Sequence, residues 1–280
     1  MKLAVSHVGA SMHDLGRLAQ HAEQLGFEAI FVPDHLVAPL TFDPVYPYRE
    51  SGMPSFGPET PFADAFVLLG NLAALTKTIR LGVGVYVLPL RNPFVAAKAA
   101  ATAQELSRGR VVLGVGIGWM REEFEAVGEE FKGRADRTEE MLDVMRKLWS
   151  GEAVEHEGQW YKFPALQMSP GISSTPPVLW GGSSPAAIKR AARAADGWFG
   201  PPTGFAENLA AREAIRAALA AEGRVETSFD YWPNANEPAS AELFTRYRDA
   251  GFVHLGVRTM ADASLDARLS WMDLVARWAG

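Results

Sequence analysis

Short apolar runs alternate with longer amphipathic ones along this chain. "KLAVSHV" (2–8) has the character of a strand. "SMHDLGRLAQHAEQLG" (11–26) repeats its apolar positions at helical spacing, with Ser11 as the cap and Gly26 as the stop. The same alternation predicts a strand in "EAIFVP" (28–33), a helix over 62–76, a strand in "IRLGVGVYV" (79–87), a helix over 93–107 and a strand in "RVVLGVGI" (110–117). An acidic helical stretch follows over roughly 120–150, and "AVEHEGQWYKF" (153–163) reads as a β-hairpin turning at Glu157-Gly158. "PPVLW" (176–180), a helix over 184–195, "GWFG" (197–200) and an Ala-rich helix over 206–222 continue the pattern. "VETSFDYW" (225–232), a helix over 240–250, "FVHLGV" (252–257) and a last helix over 264–279 complete it.

Repeated βα alternation implies parallel strands joined by right-handed crossovers. About eight such units point to a closed (β/α)8 barrel, an α/β TIM barrel, rather than an open sheet. No repeat, low-complexity tract or linker divides the chain, so residues 1–280 are expected to form one domain. Two interruptions stand out. One is the excursion near 153–175. The other is the Pro-, Tyr- and Gly-rich segment from Pro33 to Pro61, too long for an ordinary βα loop. On a barrel it would lie at the C-terminal end of the second strand, the face that carries active sites.

Composition narrows the function. With 48% hydrophobic residues in 280, the chain can bury a deep core. The net charge of −6 and the lack of any Lys/Arg run argue against a nucleic-acid partner. No apolar run approaches the ~20 residues of a membrane span, and "MKLAVSHVGA" does not read as a secretory signal. The expectation is therefore a cytoplasmic enzyme acting on a small molecule. The absence of cysteine excludes disulfides, thiolate zinc sites, iron–sulfur clusters and cysteine nucleophiles.

The candidate chemistry collects at strand ends. "VPDHL" places Asp34 and His35 after strand two, where a histidine can exchange a proton near neutral pH; a loop pair that caps the next segment is the plainer alternative. Gly82 and Gly84 interrupt strand three, and Gly114, Gly116 and Gly118 strand four. Glycine inside a strand marks a bulge, the close approach of something flat, or simply a crowded barrel interior. On the second reading, the two strands leave a slot for a planar ring. A Rossmann turn is the weaker reading of "LGVGIGW", because Trp119 stands where the third glycine belongs. In "VLWGGSSPAAIKRAA", Gly181 and Gly182 permit a tight turn, Ser183 or Ser184 can cap a helix and Pro185 suits its first position. The free amides there make a phosphate site, or only a well-capped turn. His7 either faces the barrel mouth or is an ordinary core histidine. Glu122, Glu123, Glu125, Glu129 and Glu130 read as a solvated helix face. No metal-ligand spacing and no G-x-S-x-G elbow occurs.

These segments resemble the luciferase-like monooxygenase superfamily, in particular its small oxidoreductases that use the deazaflavin coenzyme F420. The resemblance lies in "LGFEAIFVPDHLVAP", "YPYRESG", "TIRLGVGVYVLPLRNPFVAAKAAATAQELSRGRVVLGVGIGWMREEFEAVG", "RADRTEEMLDVMRKLW", "EGQWYKF" and "PPVLWGGSSPAAIKRAARAADGW", most of positions 1–200. It implies an isoalloxazine-like ring at the C-terminal mouth and a non-proline cis bond at Gly84–Val85. It implies cofactor contacts from Asp34, His35, Ile117 and Gly118, a phosphate site at Gly181, Gly182, Ser183 and Ser184, and His35 as the catalytic proton donor. FMN is the alternative cofactor, with oxygen activation in place of hydride transfer. A non-catalytic flavin-binding protein and a metal-dependent barrel enzyme are more distant alternatives. Sugar-phosphate dehydrogenases of the superfamily carry a glutamate where this chain has Trp119, which suggests an apolar or aromatic substrate. Tyr46, Tyr48, Phe56, Trp119 and His7 would then form its pocket. A homodimer is also implied.

Overall fold

The computed structural model describes residues 1–43, 45–259 and 263–279; Pro44, within the long loop, lies outside them. Ten strands and nine helices are described. Strands β1 (Lys2–Ser6), β2 (Ala29–Val32), β3 (Arg80–Val87) and β4 (Val111–Gly116) alternate with helices α1 (Met12–Gln24), α2 (Ala65–Leu75) and α3 (Pro93–Leu106). Helices α4 (Arg121–Val127) and α5 (Arg134–Trp149) follow, then the hairpin β5 (Ala153–Glu157) and β6 (Lys162–Gln167). The second half comprises β7 (Val178–Gly181), α6 (Pro185–Ala194), β8 (Gly197–Thr203), α7 (Phe205–Ala221), β9 (Asp230–Ala235), α8 (Ala241–Asp249), β10 (His254–Arg258) and α9 (Leu265–Ala279). Eight of the strands close a parallel barrel in the order β1-β10-β9-β8-β7-β4-β3-β2, and β5-β6 stands apart as an antiparallel pair.

Local chemistry explains the boundaries. Side chains of Ser11, Asp64, Asn92, Ser184 and Ser240 accept amide hydrogens in the first turns of α1, α2, α3, α6 and α8. Pro93 and Pro185 open α3 and α6, where a missing N–H costs nothing. Period-two alternation divides each strand between two cores. Leu3, Val5, Ile30, Val32, Leu113 and Val115 pack outward against the helices. Ala4, Ala29, Phe31, Val112, Leu179 and Trp232 fill the barrel itself.

Three boundaries differ from the sequence expectation. The stretch over 120–150 is two helices, because Gly128 and Gly133 take positive φ of 75° and 73°. The hairpin turns over 158–161 rather than at two residues, closed by the Gly158 amide on the Tyr161 carbonyl. The ninth strand starts only at Asp230, since Glu226–Ser228 form a 3-10 turn.

The glycines of β3 and β4 do not leave the open slot that the sequence suggested. A Cβ on Gly82 would lie 2.3 Å from the Phe31 ring, and one on Gly84 2.5 Å from Phe199, so these two positions admit aromatic side chains of the barrel interior. Cβ atoms on Gly116 and Gly181 would lie 2.5 Å and 2.9 Å from the methyl carbons of Val85, and one on Gly114 2.3 Å from the Val83 carbonyl. The Gly84–Val85 bond is cis, and the β3–β4 register slips between Val83 and Tyr86. Val85 therefore turns into a recess cleared by glycines on two other strands.

Candidate active site

The C-terminal mouth of the barrel is built on the residues that leave β2. Asp34 and His35 are consecutive, and their side chains have different partners. Asp34 is buried, with both oxygens taken by the Arg91 guanidinium at 2.6 Å and one also by the Val87 amide at 2.8 Å. Arg91 in turn donates to the Val87 carbonyl and lies over the Tyr86 ring. The Asp34 carboxylate thus clamps the end of β2 to the end of β3.

His35 donates from Nδ1 to Oε2 of Glu123 at 2.9 Å. A carboxylate offers only acceptors, which assigns the hydrogen to Nδ1. Nε2 has no hydrogen bond among the described residues, so it is free to accept a proton when the ring is neutral and to donate one when it is charged. The other oxygen of Glu123 accepts the Leu36 amide at 2.8 Å. Glu123 is 1% exposed, so its place in a solvated acidic face is overturned. The signal was present: Met120, Glu123 and Phe124 are all buried and share one helical face at three- and four-residue spacing.

Aromatic rings from the long loop surround His35. Phe56 and Phe62 lie 4.8 Å and 5.0 Å from its ring centroid, and Trp119 lies 6.4 Å away. Tyr46 packs edge-on against Trp119 at 5.1 Å, and Phe42 stacks on it at 6.4 Å. Tyr48 packs against Tyr46, and its hydroxyl comes within 3.0 Å of where a Gly182 Cβ would be. Burial pushes the Tyr48 phenol up to about 12, with Tyr46 adding to the effect. The pocket residues Tyr46, Tyr48, Phe56 and Trp119 therefore come together with His35.

His7 does not join them. It is 3% exposed, its Nδ1 meets Thr259 Oγ1 at 3.3 Å, and Arg268 of α9 shares that hydroxyl at 2.7 Å. It lines a small, largely apolar cavity with Ala10, Leu15, Pro61 and Leu68, outside the aromatic cluster. Burial, with the Arg268 charge beside it, pushes the His7 imidazole down to about 3.

On the same arc of the rim, Ile117 and Gly118 follow β4 and lead into Trp119. Gly118 takes φ of 75°, and a Cβ there would strike Phe124 and Val87 at 2.8 Å. Gly182 takes φ of 103° ahead of α6. Ser184, not Ser183, is the cap, and its hydroxyl accepts the Ala187 amide at 3.2 Å. The amides of Ser184 and Ala186, in the first turn of α6, lack intrahelical acceptors, as at any helix N-terminus. Among the described residues no cluster of His, Cys, Asp or Glu could hold a metal ion, and no helix is long and apolar enough to cross a membrane.

The family model described as luciferase-like monooxygenase matches residues 3–239. An uncharacterized protein of Mycobacterium tuberculosis is 38% identical over 182 residues, 65% of this chain and 63% of that protein. An F420-dependent glucose-6-phosphate dehydrogenase of Amycolatopsis mediterranei is 32% identical over 190 residues, 66% of this chain and 52% of that one. The match thus spans less than two thirds of the length of these relatives. Among solved structures, an F420-dependent secondary alcohol dehydrogenase in complex with an F420-acetone adduct superposes with a TM-score of 0.80 at 17% identity, covering 100% of both chains. The coenzyme F420-dependent tetrahydromethanopterin reductase of Methanopyrus kandleri superposes at 0.76 with 16% identity, over 99% of this chain and 97% of that one.

Proposed function

The chain belongs to the luciferase-like monooxygenase family, and from that premise we propose that it is an oxidoreductase using coenzyme F420 on a small apolar or aromatic substrate. The observation that carries this reading is His35, fixed by a buried carboxylate and presenting Nε2 among the rings of the barrel mouth. The 32% identity to a dehydrogenase named for F420 supports the cofactor.

The residues present fit such a group. Val85 forms a floor between β4 and β7, Ile117 and Gly118 offer backbone at one edge, and Gly181, Gly182, Ser183 and Ser184 offer the amides of the α6 N-terminus to a phosphate. Bound there, the deazaflavin would supply the hydride acceptor or donor. His35 holds or releases, at Nε2, the proton that accompanies the hydride at the substrate oxygen or nitrogen. Glu123 keeps the imidazole in one orientation, with Nε2 turned away from the carboxylate. Phe42, Tyr46, Phe56 and Trp119 exclude water and select an apolar or aromatic substrate. The exposed Val67, Val95 and Leu106 on the outer faces of α2 and α3 support a homodimer through that face.

Titration of the purified protein with F420 and with FMN tests the proposal. Binding of F420, with its absorbance bleached on reduction by an alcohol substrate, is the expected result. Tight binding of FMN with no affinity for F420 would replace it with an oxygen-activating monooxygenase.

A further inference from the structure

Two guanidinium groups crowd one phenyl ring on the rim, and among the described residues no carboxylate pairs with either. Cζ of Arg134 lies 3.6 Å from the Phe131 centroid and Cζ of Arg121 lies 4.6 Å from it. Arg134 is fixed in place: its Nε donates to the Gly118 carbonyl at 2.9 Å and its Nη1 to the Phe131 carbonyl at 3.2 Å. Gly118 follows β4 at the mouth, so the Nε bond ties the Arg134 guanidinium to that edge. Among the described residues no acidic oxygen comes within 4.0 Å of a nitrogen of Arg121 or Arg134. Their neighbours contrast with them. Arg190 of α6 pairs with Asp136 at 2.9 Å and Glu139 at 2.8 Å, and Arg137 pairs with Glu129 at 3.4 Å. Burial, then the charges of Arg121 and Arg190, depress the Arg134 guanidinium below its ordinary value.

A ring face stabilises a cation but does not neutralise it. Two uncompensated like charges side by side repel, and a fold tolerates them where an anion arrives to separate them. The Arg190 pairs also fasten α6 to α5, which brings the amides ahead of α6 and the Arg134 guanidinium to the same side of the barrel.

We propose that Arg121 and Arg134 form an anion subsite on the mouth's rim that takes a carboxylate or phosphate carried by the molecule bound in the mouth. Two carriers share that chemistry: the anionic side chain of F420, and an acid group on the substrate. Only the choice of carrier rests on the F420 reading; the anion subsite does not.

Thermal unfolding with citrate, and affinity for F420 and for its side-chain-free deazaflavin F0, test this in the wild type, Arg121→Gln and Arg134→Gln. Arg121 is exposed and, among the described residues, its side chain meets only the Phe131 ring, so Arg121→Gln remains informative if Arg134→Gln fails to fold. Citrate is expected to raise the melting temperature of the wild type and to lose most of that effect in either variant. A charge-assisted hydrogen bond of about 1.5–3 kcal/mol corresponds to roughly tenfold or more in affinity. A roughly tenfold loss for F420 in Arg121→Gln, with F0 unchanged, identifies the cofactor side chain as the carrier. Loss of the citrate effect with F420 unchanged identifies the substrate. A wild type that responds to citrate but binds neither F420 nor F0 keeps the subsite and removes the F420 reading. Equal stabilisation of all three proteins by citrate, or none in the wild type, overturns the subsite.

Discussion

The Glu123 carboxylate lies 2.9 Å from Nδ1 of His35 across 88 residues of chain, and the same carboxylate holds the amide of Leu36. One buried acid thus fixes both the ring and the backbone that carries it. The two donors use different oxygens of Glu123, so Gln keeps an acceptor for one and sets an NH2 group against the other, and the imidazole loses its fixed orientation. Glu123→Gln is expected to lower kcat by about 10- to 100-fold, less than the roughly 100- to 10,000-fold of a whole acid–base group because His35 itself remains, and to change the F420 dissociation constant far less. Steady-state kinetics and a binding titration read the two separately. His35→Ala is expected to follow the same division, with turnover falling more than affinity.

The Asp34–Arg91 pair is a stability element. Removing one partner strands a buried charge, so Asp34→Ala is expected to cost about 3–5 kcal/mol in urea unfolding. A double change to Asp34→Leu and Arg91→Met removes both charges, and most of that loss is expected to return. A cost in Asp34→Ala below about 1 kcal/mol, the scale of a surface pair, would mean that the clamp is solvated.

The recess that receives Val85 makes a second, geometric expectation. A methyl on Gly116 would meet the Val85 side chain at 2.5 Å. Gly116→Ala is expected to cost about 1–3 kcal/mol as overpacking. Adding Val85→Ala removes the obstructing atoms and is expected to recover much of it. Additive losses in the double variant would show that the contact is not the cause.

Gly182 combines a φ of 103° with close neighbours in Tyr48 and Ala187. Gly182→Asp adds backbone strain and sets an anion at the α6 N-terminus. F420 affinity is expected to fall by about tenfold or more, the effect of losing one charge-assisted contact, while an unaltered dissociation constant would place the phosphate elsewhere.

His7 and His254 are held low, to about 3 and about 4, mainly by burial. Each is neutral in the fold and takes up a proton on unfolding once the pH drops below the ordinary histidine value of about 6.5. Their neutral burial therefore favours the fold fully above about 6.5, and the advantage is lost as the pH falls toward 4 and 3. Each histidine is expected to contribute a slope of up to about 1.4 kcal/mol per pH unit across that window. Urea unfolding at pH 7, 6 and 5 measures the total, and His7→Asn is expected to remove one histidine's share.

Much of this architecture was legible because its signals are local. Alternation gave the strands, and Ser11, Asn92 and Ser184 mark helix starts by chemistry that acts within four residues. The strand-end placement of His35 followed from the same alternation. The partners were not legible in the same way. Nothing next to Asp34 announces Arg91, and nothing next to His35 announces Glu123, because each pair is made by the closure of the barrel. The glycines show the opposite failure. Their emptiness was visible, but its occupant was a protein side chain, Val85, whose turn inward depends on a register slip between neighbouring strands.

His35, the candidate proton-handling residue, sits on a framework tied at both ends, Asp34 to β3 and Leu36 to α4. Phe42, Tyr46, Phe56 and Phe62 lie further along the same span between β2 and α2, and Trp119 comes from the end of β4. The anchors of His35 involve none of these rings. Substitutions at the rings are therefore expected to change which guest is admitted more than they change the placement of the imidazole.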